Sequence, residues 1–163
     1  YQGGGEAATL EPLHEHLFEY KTHMMQNYGA GVQACYRGPR LYDTPETQAT
    51  VTEVIQWYKK YRDILNSDMI HLRRPDARDW DGFIHVNPHK KEKGLAMFFN
   101  PTHQEITRTI HIPLYYTGLT QTARIREKEQ KPVTYKLNRD YTVELMVKIP
   151  ANGYTWYVVE AAD

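Results

Sequence analysis

The sequence predicts an α+β protein in which two amphipathic helices and one short strand precede an antiparallel β-sandwich of about seven strands. Apolar residues recur every three or four positions in the first part of the chain and every second position in the second part. Turn residues interrupt the second part at regular intervals, which is typical of a series of short strands. A boundary near residues 66–80 is therefore expected, with a helical segment at 1–67 and a sandwich at 68–163.

The first helix is predicted from a stripe at helical spacing that consists of Leu10, Leu13, Leu17, Tyr20, Met24 and Tyr28. Thr9 is a suitable N-cap, and Gly29 is expected to end the helix. Pro12 falls in the first turn, where its missing N–H would have no intrahelical partner.

The apolar run Gly31–Tyr36 is too short for a helix and is predicted to form one buried strand, with Cys35 packed inside it as a small hydrophobic residue. One strand cannot make a sheet, so its hydrogen-bonding partners must lie elsewhere. We expect them to be neighbouring parallel strands, which makes residues 1–67 the last units of a truncated βα barrel. An isolated chain would pair this strand differently or form a homodimer.

The second helix is predicted to start at Thr44-Pro45 and to end near Ser67. Its apolar stripe consists of Val51, Val54, Ile55, Tyr58, Tyr61 and Leu65.

Seven strands are predicted at Gly82–Asn87, Gly94–Asn100, Glu105–Leu114, Ala123–Glu129, Val133–Leu137, Tyr141–Ile149 and Tyr154–Glu160. The run Leu95–Phe99 is apolar throughout and is expected to be a central strand. The Asn152-Gly153 pair supplies positive φ angles, so we predict that the last two strands form a hairpin.

Composition narrows the classes of function. Twenty basic residues balance twenty acidic ones, so the chain lacks the net positive charge that binds nucleic acid. No apolar run approaches the ~20 residues that a membrane helix needs. The single cysteine excludes a disulfide framework and a cysteine-based zinc site. No cofactor is predicted.

Histidines of the first helix form no recognised metal motif. His14 and His16 are two residues apart and point roughly 200° away from one another on a helix. His16, Glu19 and His23 share a face, but their spacing is not that of zinc proteases, so they are interpreted as surface polar residues.

Candidate ligand-binding residues follow the predicted strand, at the edge where α/β proteins bind their ligands. They are Tyr36, Arg37, Arg40 and Asp43. The arginines are suited to a hydroxyl-rich or carboxylate-bearing ligand, and the alternative is a structural Arg–Asp clamp.

The amino end is rich in glycine and polar groups. Gly3-Gly4-Gly5 is not followed by the Lys-Ser/Thr of a phosphate loop and is interpreted as a hinge or close-approach loop that presents Tyr1, Gln2 and Glu6. The chain opens without Met or a secretion signal, so we expect it to be an excised piece. Carboxylates Asp76, Asp79 and Asp81 are not visibly paired as glycoside cleavage requires and are interpreted as loop charges.

The chain has thirteen tyrosines and three tryptophans but only four phenylalanines. Such rings stack on the C–H faces of sugars, and they also suit the half-buried layers of a sandwich. If the chain is a carbohydrate-binding module, the expected stacking platform consists of exposed Trp80, Tyr115, Tyr116, Trp156 and Tyr157.

Four segments carry a family resemblance, and they are Tyr58–Arg62, Arg73–Asp76, Gly94–Pro101 and Ile149–Tyr154. Together they resemble the carboxyl-terminal region of bacterial glycoside hydrolases, in particular the α-galactosidase-like superfamily. In that superfamily a catalytic βα barrel is followed by an antiparallel sandwich, and a strand ending in Asn-Pro near the start of the sandwich is common.

The resemblance implies that the catalytic carboxylates lie on barrel strands upstream, so that this chain contributes no catalytic residue. It implies that the Tyr1–Glu6 loop and Tyr36–Asp43 contact an oligosaccharide or glycan substrate, and that the location is periplasmic or extracellular. The leading hypothesis is a non-catalytic part in which the sandwich packs on and stabilises the barrel of the same polypeptide. The alternatives are a carbohydrate-binding module and a protein-interaction sandwich.

Overall fold

A computed structural model describes residues 10–34 and 38–162. The chain divides between Leu65 and Asn66 into two compact units. The described part of the first unit contains two helices. They are α1 (Leu17–Gly29), which follows a 3₁₀ turn at Leu13–His16, and α2 (Pro45–Leu65). Both predicted stripes supply buried residues, among them Leu13, Tyr20, Met24, Val54, Tyr61 and Leu65. Neither helix is long and apolar enough to cross a membrane.

The start of α2 agrees with the sequence, because the Oγ1 atom of Thr44 accepts a hydrogen bond of 3.2 Å from the backbone N–H of Thr47. The end of α1 differs from the prediction. Gly29 lies inside the helix, and Gly31 is the residue with positive φ, at 74°. The N–H groups of Gly31 and Val32 donate to the carbonyls of Tyr28 and Asn27, which is a Schellman cap.

The prediction of a strand at Gly31–Tyr36 is wrong for its described part. Gly31–Ala34 form a turn and irregular backbone, because the glycine that was expected to open a strand instead closes the preceding helix. Cys35 and Tyr36 lie outside the described residues.

The second unit has eight strands. They are β1 (Asp68–Arg73), β2 (Asp81–Val86), β3 (Glu92–Phe99), β4 (Ile106–Pro113), β5 (Thr122–Glu127), β6 (Val133–Lys136), β7 (Thr142–Ile149) and β8 (Tyr154–Glu160). They form a six-stranded sheet of order β1-β2-β3-β8-β5-β6 and a two-stranded sheet of β4 and β7, and all pairs are antiparallel. The α+β fold class is thus confirmed, and β3 is a central strand as expected.

The predicted hairpin of β7 and β8 is wrong. β7 pairs with β4 in the small sheet, whereas β8 pairs with β3 and β5 in the large sheet. Asn152 does have a positive φ of 50°, as the Asn-Gly pair predicts. Its N–H donates to the carbonyl of Thr102 in the β3–β4 connection, however, so the turn carries the chain from one sheet to the other.

A hydrophobic core joins the two sheets. Ile84, Ala96, Phe98 and Val159 from the large sheet cluster with Val143, Leu145 and Val147 from the small one. The other face of the large sheet is apolar as well. Cross-strand partners Leu95 and Val158, and Met97 and Trp156, lie on this face and are at most 5% exposed. These four residues are here called the second apolar face.

Asn100 connects the ends of several strands. Its side-chain amide donates to the backbone carbonyls of Gln104, Ile149 and Pro150 at 2.7, 3.2 and 3.0 Å. Its Oδ1 atom accepts from the N–H and the hydroxyl of Thr102. The Asn-Pro pair that ends β3 therefore ties the large sheet to the end of β7.

Candidate functional site

Five of the predicted substrate contacts lie outside the described residues, namely Tyr1, Gln2, Glu6, Tyr36 and Arg37. Arg40 and Asp43 are described. The Nη2 atom of Arg40 donates to Oε2 of Glu11 at 2.9 Å. This ion pair is partly exposed, and such pairs stabilise a fold by about 0–1 kcal/mol.

Asp43 has the geometry of a structural carboxylate. Its Oδ2 atom accepts from the backbone N–H of His14 at 3.1 Å and approaches Nδ1 of His14 at 2.8 Å, and its Oδ1 atom accepts from Thr47 Oγ1 at 2.8 Å. Burial raises the pKa of Asp43, but the hydrogen bonds from His14 and Thr47 outweigh that effect and hold the pKa below its ordinary value. Because the side chain is only 4% exposed, Asp43 joins the 3₁₀ turn to the start of α2 and offers little surface to a ligand.

The histidines of the first unit do not converge on one point. His14 binds Asp43, while Nδ1 of His16 lies 3.7 Å from Oε1 of Glu19. Within residues 10–34 and 38–162, no group of three or more His, Cys, Asp or Glu side chains has the arrangement of a metal site.

The aspartates between β1 and β2 fix a loop. Arg73 donates to both carboxylate oxygens of Asp76, at 3.2 and 2.8 Å, and Asp76 also accepts from the N–H groups of Arg78 and Asp79. The hydrogen bond from Arg73 is the main reason that the pKa of Asp76 lies below its ordinary value. Asp76 thus has the contacts of a loop anchor.

Asp79 and Asp81 differ from Asp76 in their surroundings. Asp79 accepts from the N–H of Trp80 at 2.8 Å and from Nε of Arg108 at 3.2 Å. The pKa of Asp81, at the start of β2, is raised by burial, with Arg73 acting in the opposite direction. Two of these three carboxylates are therefore engaged in holding the loop, as the sequence interpretation of turn residues anticipated.

The five aromatic residues of the expected stacking platform do not form one exposed face. Trp156 and Tyr157 are only 5% and 7% exposed, which corrects the expectation that they face solvent. The reason is that both faces of β8 are covered, Tyr157 belonging to the core and Trp156 to the second apolar face. Trp80 is half-buried and packs edge-on against Phe98, with the Arg73 guanidinium 6.0 Å from its ring centre.

Tyr115 and Tyr116 are exposed, at 62% each. Their ring centres are 5.1 Å apart with planes at 89°. Tyr141 lies against Tyr115, with ring centres 5.4 Å apart and planes at 74°. We call these three residues the tyrosine cluster. The sequence did not single out Tyr141 as a site residue, because the pairing of β4 with β7 is what brings it beside Tyr115.

Two well-connected turns hold the tyrosine cluster. Tyr115–Thr117 is a 3₁₀ turn that follows β4, and Thr117 Oγ1 donates to the Leu114 carbonyl. The Leu114 N–H donates to the carbonyl of Tyr141 at 2.9 Å, which joins this turn to the one before β7. Tyr141 has a φ of 62°, a conformation that is a genuine outlier for a bulky side chain.

Comparisons with known proteins show where this fold occurs. Neither the protein-family models nor the curated proteins contain a match to the sequence. Among solved structures, α-galactosidase I from Mortierella vinacea superposes with a TM-score of 0.57 at 13% identity, covering 87% of this chain and 35% of that one. The α-amylase from Geobacillus thermoleovorans gives a TM-score of 0.57 at 13% identity, covering 90% and 34%.

A third solved structure is the family 27 β-L-arabinopyranosidase from Geobacillus stearothermophilus, with a TM-score of 0.56 at 9% identity, covering 88% of this chain and 30% of that one. The chain thus spans about a third of the length of the three proteins. At these identities the likeness concerns the fold. The two helices and the antiparallel sheets described above share their fold with one part of these glycoside hydrolases.

Proposed function

We propose that this chain is the non-catalytic C-terminal part of a glycoside hydrolase, in which the sandwich packs on the catalytic barrel of the same polypeptide and stabilises it. The observation that carries the proposal is the second apolar face of the large sheet. Leu95, Met97, Trp156 and Val158 are large apolar side chains that lie on the side of β3 and β8 opposite the sandwich core.

A two-sheet sandwich needs only one apolar face on each sheet, and the outer face is ordinarily polar. The small sheet follows that rule, since β7 alternates buried and exposed residues. The large sheet departs from it in β3 and β8, which carry apolar side chains on both faces. A strand pair that is apolar on both faces is typical of a sheet that packs between two layers, and this supports a role in which the sandwich packs on another domain.

The absence of a catalytic role is supported by the contacts of the described aspartates. Cleavage of a glycosidic bond requires two carboxyl groups that flank one bond, one of them as an acid or nucleophile. Asp43 and Asp76 are instead bound by several donors that lower their pKa values, which suits anchors of local structure. Under this proposal the catalytic carboxylates lie on the barrel, and a glycan is the substrate of the complete enzyme. We propose that the complete enzyme acts in the periplasm or the extracellular space.

Hydrolysis assays test the proposal that this chain has no catalytic activity of its own. The chain is incubated with 4-nitrophenyl α-galactoside, α-N-acetylgalactosaminide, β-L-arabinopyranoside and α-glucoside, and release of nitrophenol is followed. We expect no turnover that survives a second purification. Turnover that copurifies with the chain would contradict the proposal.

The encoded sequence upstream of Tyr1 tests the proposal that the sandwich packs on a catalytic barrel. It should contain about six alternating strand and helix units that complete a barrel. In that longer polypeptide, removal of residues 66–163 should shorten the half-life of activity at elevated temperature. A polypeptide without such units, or one whose heat resistance survives the deletion, would overturn the packing role.

A further inference from the structure

The tyrosine cluster offers a small aromatic surface whose ring orientations are already fixed. Tyr115 lies in contact with the rings of both Tyr116 and Tyr141, so its ring is held from two sides. Both turns are braced by hydrogen bonds, including those of Thr117 and of Asn138 with Thr142. A ligand that packs on these rings therefore does not pay the full entropic cost of ordering them.

Hydrogen-bonding residues precede the third ring of the cluster in sequence. Asn138, Arg139 and Asp140 precede Tyr141 in the same turn and are exposed. Asp140 Oδ1 accepts hydrogen bonds from the N–H and the hydroxyl of Thr142, at 3.2 and 2.7 Å, and these bonds lower the pKa of Asp140. The carboxylate is thus ionised at neutral pH and able to accept hydrogen bonds from hydroxyl groups.

The size of the surface distinguishes between classes of ligand. Two tyrosine side chains that are 62% exposed present on the order of 200–300 Å² of surface. A standard protein interface buries ~800 Å² on each partner, with an apolar centre much wider than two rings. A pyranose ring has an apolar C–H face and a rim of hydroxyl groups, which suits a small aromatic surface next to a turn that carries amide, guanidinium and carboxylate groups.

We infer that the tyrosine cluster is a carbohydrate-binding surface that takes one or two pyranose units of a glycan, with stacking on Tyr115 and Tyr116 and hydrogen bonds to the turn at residues 138–140. The inference is independent of the packing role, because it concerns exposed rings and not the second apolar face. It also replaces the five-residue platform expected from the sequence, of which only two members are exposed tyrosines.

Nuclear magnetic resonance titration of the whole chain tests the inference. The probes are methyl α-D-galactopyranoside, methyl α-D-glucopyranoside and maltotriose, each added to about 50 mM, since single-sugar surfaces bind with dissociation constants on the order of millimolar. We expect at least one probe to give saturable shifts at Tyr115, Tyr116 and Tyr141. Tyr115→Ala and Tyr116→Ala should each weaken that binding about tenfold, whereas the Phe variants should keep most of it.

Phe18→Ala is the matched control, because Phe18 is 52% exposed in the helical unit and should leave the affinity unchanged. Absence of a saturable shift with all three probes would overturn the inference, as would binding that the two Ala variants leave intact. Broadening of the same resonances that grows with protein concentration would instead identify the cluster as a contact between two copies of the chain. Neither result bears on the hydrolysis and heat-resistance tests of the packing role.

Discussion

At the residue scale, Gly82 shows how closely two strands approach in the large sheet. A Cβ atom at Gly82 would lie 2.5 Å from the backbone oxygen of Met97 and 3.1 Å from the ring of Phe98. Because a backbone oxygen in a central strand cannot yield, Gly82→Ala should destabilise the protein by roughly 2–4 kcal/mol, as overpacking does in a rigid site.

Urea unfolding measures this change, and Gly94→Ala is the control. A Cβ at Gly94 would meet side-chain atoms of Val159 and Ile84 at 3.2–3.3 Å, and side chains move more easily than a strand backbone. We therefore expect a smaller loss at Gly94. Equal losses at the two positions would show that backbone contact is not what makes Gly82 necessary.

Asp76 and Asp81 should give opposite dependences of stability on pH. The pKa of Asp76 in the folded state lies below the ordinary value of 3.8. Its ionised form therefore stabilises the fold at pH values above 3.8, and this stabilisation is lost as pH falls through the folded pKa. Asp76→Asn should therefore be less stable than the wild type at neutral pH, with a difference that shrinks in acid. The free energy of unfolding at about pH 7 and about pH 3 tests this.

Burial raises the pKa of Asp81 in the folded state. The ionised carboxylate is therefore less favourable in the folded protein than in the unfolded chain, which lowers the stability of the fold at pH values above the folded pKa. Asp81→Asn should consequently be more stable than the wild type at neutral pH, and its advantage should disappear as pH falls and the wild-type carboxyl is protonated. Loss of stability in both variants at neutral pH would contradict the assignment of opposite shifts.

Individual site residues were only partly predictable. Exposure of Tyr115 and Tyr116 follows from their place between two strands, where turn residues face solvent. The burial of Trp156 could not be predicted in this way. An alternating strand is expected to turn one face toward solvent, whereas both faces of β8 are apolar. Tyr141 is predicted to lie in a strand. Its contact with Tyr115 depends on the pairing of β4 with β7, in which Pro113 lies opposite Thr142, 29 positions further along the chain. No local sequence pattern encodes such a pairing.

At the element scale, Asn100 should matter more than any other polar side chain that closes the sandwich. It is 2% exposed, and Asn100→Ala would leave the carbonyls of Gln104, Ile149 and Pro150 without their amide donor. The hydrogen bond to the Ile149 carbonyl is buried, so water does not readily replace it, and we expect a loss of roughly 1–3 kcal/mol. Thermal and urea unfolding measure it.

The exposed Asn138 provides the comparison for Asn100, since its amide makes a hydrogen bond of 3.1 Å to Thr142 Oγ1 at the surface. Water replaces that bond, so Asn138→Ala should cost under about 1 kcal/mol. If the two alanine variants lost the same stability, the connection between the sheets would not depend on the Asn100 side chain.

Elements were predicted best where periodicity alone decides them. The stripes of α1 and α2 and seven of the strands were recovered, because each has a local pattern of period 3.6 or 2. Strand β1 was missed, since no residue of Asp68–Arg73 is fully buried and the alternation is weak. The hairpin of β7 and β8 was predicted from the turn, and a turn fixes the direction of the chain but not the sheet that the next strand joins.

At the scale of the whole molecule, the large sheet differs from the small one, because β3 and β8 carry apolar side chains on both faces. The core side could be anticipated from alternation in β7, and the continuous apolar run of β3 indicated a central strand. The burial of β8 on both faces could be seen only from its position beside β3 in the sheet. The packing role therefore depends on the second apolar face contributing as much stability as a core does.

Met97 and Met146 allow that dependence to be measured with one chemical change. Met97 is fully buried on the second apolar face, whereas Met146 on β7 is 76% exposed. Met97→Ala should cost roughly 2–5 kcal/mol, as truncation of a core methionine does, while Met146→Ala should stay within about 0.5 kcal/mol of the wild type. Urea unfolding followed by tryptophan fluorescence reports on both, since Trp156 lies directly across from Met97. A small loss for both variants would contradict the burial of Met97 and the contribution to stability that we expect from the second apolar face.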